Sequence, residues 1–488
     1  MKKYFLIIST LFLLVTTNSC SERDLDLTSG FSDEITGVDT EAKMQQLLNG
    51  AYLTTSSANA FGTELMIFGD LMGDKLFVSN SNPSYLNTYN FNYNSTQNDF
   101  GFYGSMYNVI VKCNMVINNN LVPATANVMR IKAEAKILRG LAYFTLVNYY
   151  SATPSSGINQ EFGVPLVLTD YDVNIQPARA TVPQVYDQII SDLTAGATES
   201  LQAPGNKNLL GQTAAKLLLS RVYLTRRAAG DAALALQYAT DVVDNGPGLG
   251  YAPIDKADYT KYWSAMQDDD SEGKPETIWE LDLNIDTNKF TGIGSNISLP
   301  AYYNRTDSRK CLLFNQTFYS SFAATDVRRG PATGATGLLT NSGVPGTDSP
   351  KGYWTNKYPR LSNNGNYFRD IKVLRYAEAQ LNQIEALYLT GQNALALTKL
   401  NTFATVSRNG SAYTGTNLLD DILTEKSKEF YGEGQRFLDL KRYSLPVVKP
   451  SNCTMNCTLP ANDRLFVLPM SQGALNYNQN LTQYPGYN

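Results

Sequence analysis

Ile371-Lys372-Val373-Leu374-Arg375-Tyr376-Ala377-Glu378-Ala379-Gln380-Leu381-Asn382-Gln383-Ile384-Glu385-Ala386-Leu387-Tyr388-Leu389-Thr390-Gly391 decides how the rest of this 488-residue chain is read. Leu374, Ala377, Leu381, Ile384 and Tyr388 recur at intervals of three and four, which lines them along one face of an α-helix that must be buried. Gly391 supplies a helix stop. A second helix is predicted from Asn393 or Ala394, with Leu397, Leu400 and Ala404 on its inner side. The two form an αα-hairpin, followed by a third helix whose end is the polar tract reaching Tyr443. The same pattern lies earlier: Leu217 to Leu224, then Gly230, then Ala233-Leu234-Ala235-Leu236. Repeated helical hairpins of this kind predict an all-α fold built as a tetratricopeptide-like stack, each pair burying its apolar face against its neighbours.

Helical periodicity extends through the first half. Met44, Leu47, Leu48, Ala51 and Tyr52 mark one helix and residues 103–121 another. Residues 128–150 form a third, with Ile131, Ala135, Leu138, Ala142, Thr145 and Tyr149 on one face, and Thr181-Val182-Pro183 opens a fourth. Between Gly246 and Arg369 glycine, proline and asparagine rise, and short strand-like runs such as Thr277-Ile278-Trp279-Glu280-Leu281 appear. Long loops on a helical stack are where binding surfaces are built. At the N-terminus Lys2 and Lys3 precede an uncharged, mainly apolar run over residues 4–15. This is shorter than the roughly 20 residues that span a bilayer and suited to a secretory signal. Cys20 follows Thr17-Asn18-Ser19, and the whole looks like a bacterial lipoprotein signal with Cys20 as the lipidated first residue of the mature chain. The expected organisation is a signal over 1–19, a polar tether over 20–40, an N-terminal helical part over 41–246 and a C-terminal part over 247–488 packed with it as one domain.

Composition narrows the function. With 40 basic and 44 acidic residues the net charge is −4, and removing Lys2 and Lys3 takes the mature chain to about −6, so nucleic acid is not an expected partner. Five cysteines, Cys20 among them, are too few for a disulfide framework. Cys113 and Cys311 read as buried single thiols. Cys453 and Cys457 are close enough for a loop disulfide in an oxidising compartment, and zinc there is the weaker reading because the chain has no histidine. The same absence removes ordinary Ser-His-Asp and Cys-His chemistry, and no glycine-rich phosphate loop joins a strand to a helix.

The chain resembles the SusD/RagB family of outer-membrane nutrient-binding lipoproteins. The resemblance rests on Arg139-Gly140-Leu141-Ala142-Tyr143-Phe144, the Phe162-Gly163-Val164-Pro165-Leu166-Val167 connector, the helical segments at residues 185–193 and 213–218, and Leu374-Arg375-Tyr376-Ala377-Glu378-Ala379. It continues through Glu429-Phe430-Tyr431-Gly432-Glu433-Gly434-Gln435-Arg436-Phe437-Leu438-Asp439-Leu440-Lys441-Arg442 and Leu481-Thr482-Gln483-Tyr484-Pro485-Gly486-Tyr487. These stretches span nearly the whole mature chain. Gln435 stands where the family usually has histidine, in a tract read as structural. The resemblance implies tetratricopeptide-like helix pairs and a ligand held on a loop-formed face. It also implies a partner, a SusC-like TonB-dependent outer-membrane barrel over which the protein sits as a lid.

Carboxylates and arginines crowd residues 429–442. On a helix Glu433, Arg436 and Asp439 would be three apart, the spacing of charges that link helices rather than of a catalytic set. Glu378 and Glu385 are seven apart and imitate a glycosidase pair, and helix packing explains them more simply. Asp268-Asp269-Asp270 lacks the alternating ligands of a calcium loop and reads as solvated. No metal and no cofactor are called for. The 31 tyrosines and the many amides point instead to a ligand with flat C–H faces and hydroxyls, as sugars have. Three loops supply that mixture: Tyr85, Tyr89, Asn92 and Tyr93 in the first, Tyr302, Tyr303 and Arg305 in the second, and Trp354 in the third, with core packing the competing role for each aromatic. Trp263, Trp279, Tyr103 and Tyr107 are assigned to the core. The reading is a non-catalytic lipoprotein that captures oligosaccharides; a peptide receptor of the same fold and, from another class, a glycoside hydrolase are the alternatives.

Overall fold

In the computed structural model, which describes residues 37–170, 172, 174–265, 271–284, 291–305, 307–330, 337–341, 349–360, 367–450 and 452–487, several helices start where a side chain takes over an orphan backbone N–H. Thr40 accepts from the Lys43 N–H ahead of α1 (Glu41–Thr55), which is followed by α2 (Glu64–Leu71) and α3 (Phe102–Ile117). Thr125 accepts from Val128 N–H to open α4 (Ala126–Tyr150), and Thr181 forms a capping box with Gln184 at α5 (Val182–Glu199). Then come α6 (Gln212–Arg226), α7 (Asp231–Asn245), α8 (Leu299–Tyr303), α9 (Tyr376–Leu389), α10 (Asn393–Asn401), α11 (Leu418–Glu429) and α12 (Arg436–Arg442). The helices pack as a chain of neighbours: α3 lies on α1 and α4, α5 on α4 and α6, and α7 on α6 and α9, while α9 also meets α10 and α11. Both anticipated hairpins are present, α6–α7 turning at Gly230 and α9–α10 at Gly391. Each of these glycines lies at positive φ.

Strands are few and short. Among the described residues they pair as four antiparallel ribbons: β1 (Leu76–Val78) with β3 (Leu312–Phe314), β2 (Thr277–Leu281) with β6 (Ile371–Arg375), β4 (Leu339–Thr340) with β5 (Trp354–Thr355), and β7 (Val447–Val448) with β8 (Thr458–Leu459). Residues 371–375 are therefore strand and not the first turn of a helix. All five are buried, and helix α9 begins only at Tyr376, whose N–H donates to Glu276 O. Leu374 fits the helical spacing by coincidence; a fully buried strand leaves no alternation by which to recognise it.

The polar tract also departs from one continuous helix. α11 stops at Glu429, Gly432 and Gly434 adopt φ of +77° and +76°, and α12 restarts at Arg436. A Cβ on Gly434 would come within 2.6 Å of Leu65 O, so the turn is pressed against α2. Glu433, Arg436 and Asp439 consequently point to three different partners. Glu433 accepts from Arg375 and Lys357, Arg436 donates to Asp74, and Asp439 accepts from Arg442. Their linking role holds, while the shared helical face does not.

At the centre lies a sealed ionic network. Glu429 accepts from Arg408 at 2.9 and 3.1 Å and from Arg375 at 3.0 Å, with Arg328 at 3.4 Å. Arg375 also reaches Glu276 at 3.0 Å and Glu433 at 2.8 Å; Arg328 reaches Asp326 at 2.8 Å and Glu425 at 2.6 Å. Every one of these side chains is at most 4% exposed. The arginines hold the Glu429 carboxyl well below the usual range against the opposing effect of burial. A second buried acid, Glu385, accepts from Lys426 at 2.7 Å, from Tyr443 at 2.7 Å and from Arg442, which ties α9 to α11 and α12. Cys453 and Cys457 are disulfide-bonded, and Cys113 and Cys311 are buried free thiols.

Replacing Arg375 by methionine keeps most of the side-chain volume and strips Glu276, Glu429 and Glu433 of their shared cation. Breaking a buried ionic partnership in this way costs about 3–5 kcal/mol. The expected outcome in urea titration is a midpoint shifted far down with an unchanged slope; a shift under about 1 kcal/mol would mean the network is dispensable.

Candidate functional site

The three tyrosine- and asparagine-rich stretches, far apart in sequence, meet on one small sheet. β1 and β3 run antiparallel with Phe77 opposite Leu313, and Tyr353 adds to the other edge of β3 through reciprocal bonds with Phe314 at 2.8 and 2.9 Å. The loops leaving these strands are laced together. Ser79 N–H donates to Cys311 O, the Asn82 side chain to Arg309 O at 2.6 Å, and the Asn80 side chain to Ser349 O at 3.4 Å.

Tyr85 and Tyr302 are brought into contact. Their ring centroids are 5.1 Å apart at 67°, an edge-to-face pair, and Phe68 of α2 supports Tyr85 from behind at 5.4 Å. Tyr85 sits at φ +59°, half-buried, whereas Tyr302, expected to touch ligand, is only 6% exposed and belongs to the core beneath Tyr85, its hydroxyl donating to Asn296 O. Asn92 is exposed near this face, and Arg305 is half-exposed in the turn after α8.

The other expected ligand contacts are placed in the core. Trp354 and Tyr303 have no exposed surface; Tyr303 stacks on Phe314, and Trp354 lies in β5 opposite Thr340. Tyr89 is 1% exposed, donates to Asn452 and lies under the Lys449 ammonium, and Tyr93 is 5% exposed and donates to Leu465 O. Covered rings have no face to offer a ligand. Trp263 and Trp279 are buried as expected, and Tyr103 and Tyr107 are half-buried against the core. Cys20 and Asp268-Asp269-Asp270 lie outside the described residues.

A cleft of about 510 Å³ that no sequence pattern announced lies among residues 54–59, 104–108 and 291–297, the last segment containing the Asn296 whose carbonyl accepts the Tyr302 hydroxyl. Thr54, Ser57, Asn59, Ser105, Asn108 and Thr291 line it, with no ionisable group among its lining residues. Three remote segments build it, joined by the Ala58 N–H to Thr291 O bond of 2.7 Å. Hydroxyls and amides scattered over residues 54–291 carry no local signal, which is why they escaped notice. Glu64 is buried, its N–H donating to the carbonyl of Ala58 in the cleft wall. One of its carboxyl oxygens has no hydrogen-bond partner, and burial, with the nearby Asp99 charge, pushes its carboxyl up to about 8. Donors and acceptors such as these can bind hydroxyls, and an aromatic ring with exposed surface can pack a C–H face.

A second cavity, of about 90 Å³, lies among α4, α6, α9 and α12. Its charged lining groups already pair with one another, Arg221 with Glu378 and Arg442 with Asp439. Glu378 and Glu385 are thus both consumed in ion pairs, at 2% and 0% exposure.

These features, a helical-hairpin stack carrying a loop-built polar and aromatic face, define a class of binding protein with known members. A family model described as starch-binding associating with outer membrane matches residues 24–224, and the SusD family model matches residues 333–487. The SusD-like protein P2 of Formosa agariphila is 24% identical along the full length of both chains. Among solved structures, a putative sugar binding protein from Bacteroides vulgatus is 25% identical with a TM-score of 0.80 over 93% of this chain and 100% of that one. The surface glycan-binding protein A from Bacteroides uniformis, at 20% identity, gives a TM-score of 0.71 over 91% and 99%. The chain belongs to the SusD/RagB family.

Because the folded-state pKa of Glu64 lies above its ordinary value of 4.5, the folded protein holds a proton there that the unfolded chain releases first. The stability this contributes is full below about pH 4.5 and is lost as pH rises through about 8. Relative to Glu64→Gln, the wild-type melting temperature is expected to fall progressively between pH 5 and pH 8.5 in thermal scans. Parallel curves would show Glu64 to be solvated.

Proposed function

We propose that this protein captures oligosaccharides at the cell surface and passes them to a TonB-dependent outer-membrane transporter of the SusC type, without cleaving them. The observation that carries this reading is the uncharged cleft of hydroxyls and amides, linked through Asn296 to Tyr302 and so to the half-buried Tyr85 ring packed on it, the kinds of group that sugar hydroxyls and C–H faces require. Membership of a family described as associating with the outer membrane supports the location, and similarity to proteins named for sugar and glycan binding supports the ligand class. Attachment is through a lipid on Cys20, with residues 20–40 as the tether, a reading supported by the basic and then apolar N-terminal sequence that precedes this cysteine. The core roles of Glu378 and Glu385 leave a glycosidase without its acid pair, and the aromatic edge favours sugar over peptide.

Calorimetric titration of the chain from Ser21 onward against a panel of polysaccharides and peptide digests tests this directly. Saturable binding to a glycan without new reducing ends is the expected result; binding confined to peptides would overturn it. Tyr85→Ala is expected to weaken glycan binding roughly tenfold, about 1.4 kcal/mol, with little loss of melting temperature. Trp354→Ala, by contrast, empties a core position and is expected to cost about 3–5 kcal/mol of stability.

A further inference from the structure

The turn between α8 and β3 reads Asn304-Arg305-Thr306-Asp307-Ser308-Arg309-Lys310, three cations and one acid within a chain that is acidic overall. Its base is closed by the Cys311 N–H donating to Tyr302 O, so it projects directly from one member of the aromatic pair. Its single acid is turned inward. Asp307 is 2% exposed and its carboxylate accepts the backbone N–H of Arg309 at 2.8 Å and the Tyr367 hydroxyl at 3.3 Å, with the Arg360 guanidinium also 3.3 Å away. Arg309 is held from the other side, since its carbonyl accepts the Asn82 side chain of the Tyr85 loop. Lys310 donates to Arg305 O at 2.9 Å across the turn. The described residues Asp307, Arg309 and Lys310 are held by these bonds, with Arg309 exposed and Arg305 and Lys310 half-exposed.

Arginines elsewhere are spoken for. Each of the other described arginines has an ion pair, a hydrogen bond to a carbonyl or an aromatic ring beneath it, as Arg139 has Asp192, Arg329 has Phe322 O and Arg464 has Tyr487. Among the described residues, Arg305 and Arg309 are the arginines whose guanidinium groups have none of these. Exposed arginines in an ordinary surface loop need no explanation. Two left over side by side, on a turn pinned by a buried acid and rooted in the tyrosine beneath Tyr85, do.

We propose that this turn is an anion-recognition element of the same site, and that the glycan captured is acidic, bearing carboxylate or sulfate groups that Arg305 and Arg309 engage while the sugar ring packs on Tyr85. This rests on the glycan-capture reading. Guanidinium groups meet carboxylate and sulfate oxygens through two parallel N–H bonds, and a nearby ammonium such as that of Lys310 adds point charge. Glu64 does not oppose the anion at neutral pH, since its buried carboxyl is held protonated.

The test titrates the mature chain with three probes of matched length: oligogalacturonate for carboxylate, carrageenan oligosaccharide for sulfate, and a neutral mannan. Expected is binding to one acidic probe at least tenfold tighter than to mannan, weakening at least tenfold as NaCl rises from about 0.05 to 0.5 M. The Arg305→Ala/Arg309→Ala pair is expected to remove that preference, and Arg305→Lys/Arg309→Lys to restore part of it, with unchanged melting temperatures. Equal or tighter binding of mannan, insensitive to salt and to the double variant, overturns the acidic-glycan proposal and leaves glycan capture standing. Binding of none of the three by the folded protein, with peptides bound instead, overturns both.

Discussion

Everything in this fold answers to the Glu429 carboxylate. Three guanidinium groups converge on it, from Arg328, Arg375 and Arg408, and each is delivered by a different kind of structure: a loop, the end of a strand, and the residue just after a π-helical turn that extends α10. Charges this deeply buried lose several kcal/mol of hydration each, and only complete pairing offsets the loss. The network therefore discriminates more than it stabilises. Any register of β6 against β2 other than the observed one would move Arg375 away from Glu276, Glu429 and Glu433 together, leaving a buried guanidinium unpaired and three carboxylates each short of a partner.

That demand explains what was and was not legible in the sequence. The hairpins α6–α7 and α9–α10 were readable because their apolar residues repeat at helical spacing and a glycine at positive φ closes each. Residues 371–375 were misread because burial on both faces erases alternation, and the local sequence offers nothing to separate strand from helix. In the tract 429–442 the ionic role was legible from composition, while the break at Gly432 and Gly434 was set by the approach of α2, a contact some 370 positions away in sequence.

The binding face was half legible. Of the loop residues expected to meet ligand, Tyr89, Tyr93, Tyr302, Tyr303 and Trp354 are buried in the core, while Tyr85, Asn92 and Arg305 keep solvent-accessible surface. Aromatic residues are used here chiefly to fill volume between layers too irregular for aliphatic packing, and composition alone cannot tell a filler from a platform. The cleft of Thr54, Asn59, Ser105 and Thr291 was invisible for a different reason: it exists only once α1, α3 and the segment before α8 have been assembled.

The lacing between the two ends of the chain carries a consequence for how the protein comes into being. Arg436 grips Asp74, Lys449 donates to Leu71 O and Gly73 O, Tyr93 donates to Leu465 O, and Leu468 N–H donates to Tyr149 O. Joining segments more than 300 residues apart costs little extra at equilibrium, because closure entropy grows only with the logarithm of length, but it delays the moment at which those contacts form. A nascent chain ending before α12 lacks Arg436 and Lys449, along with Arg442, the partner of Glu385. The early helices can pack on one another beforehand, but the lacing that ties them to the last quarter of the chain is completed only when that segment is present.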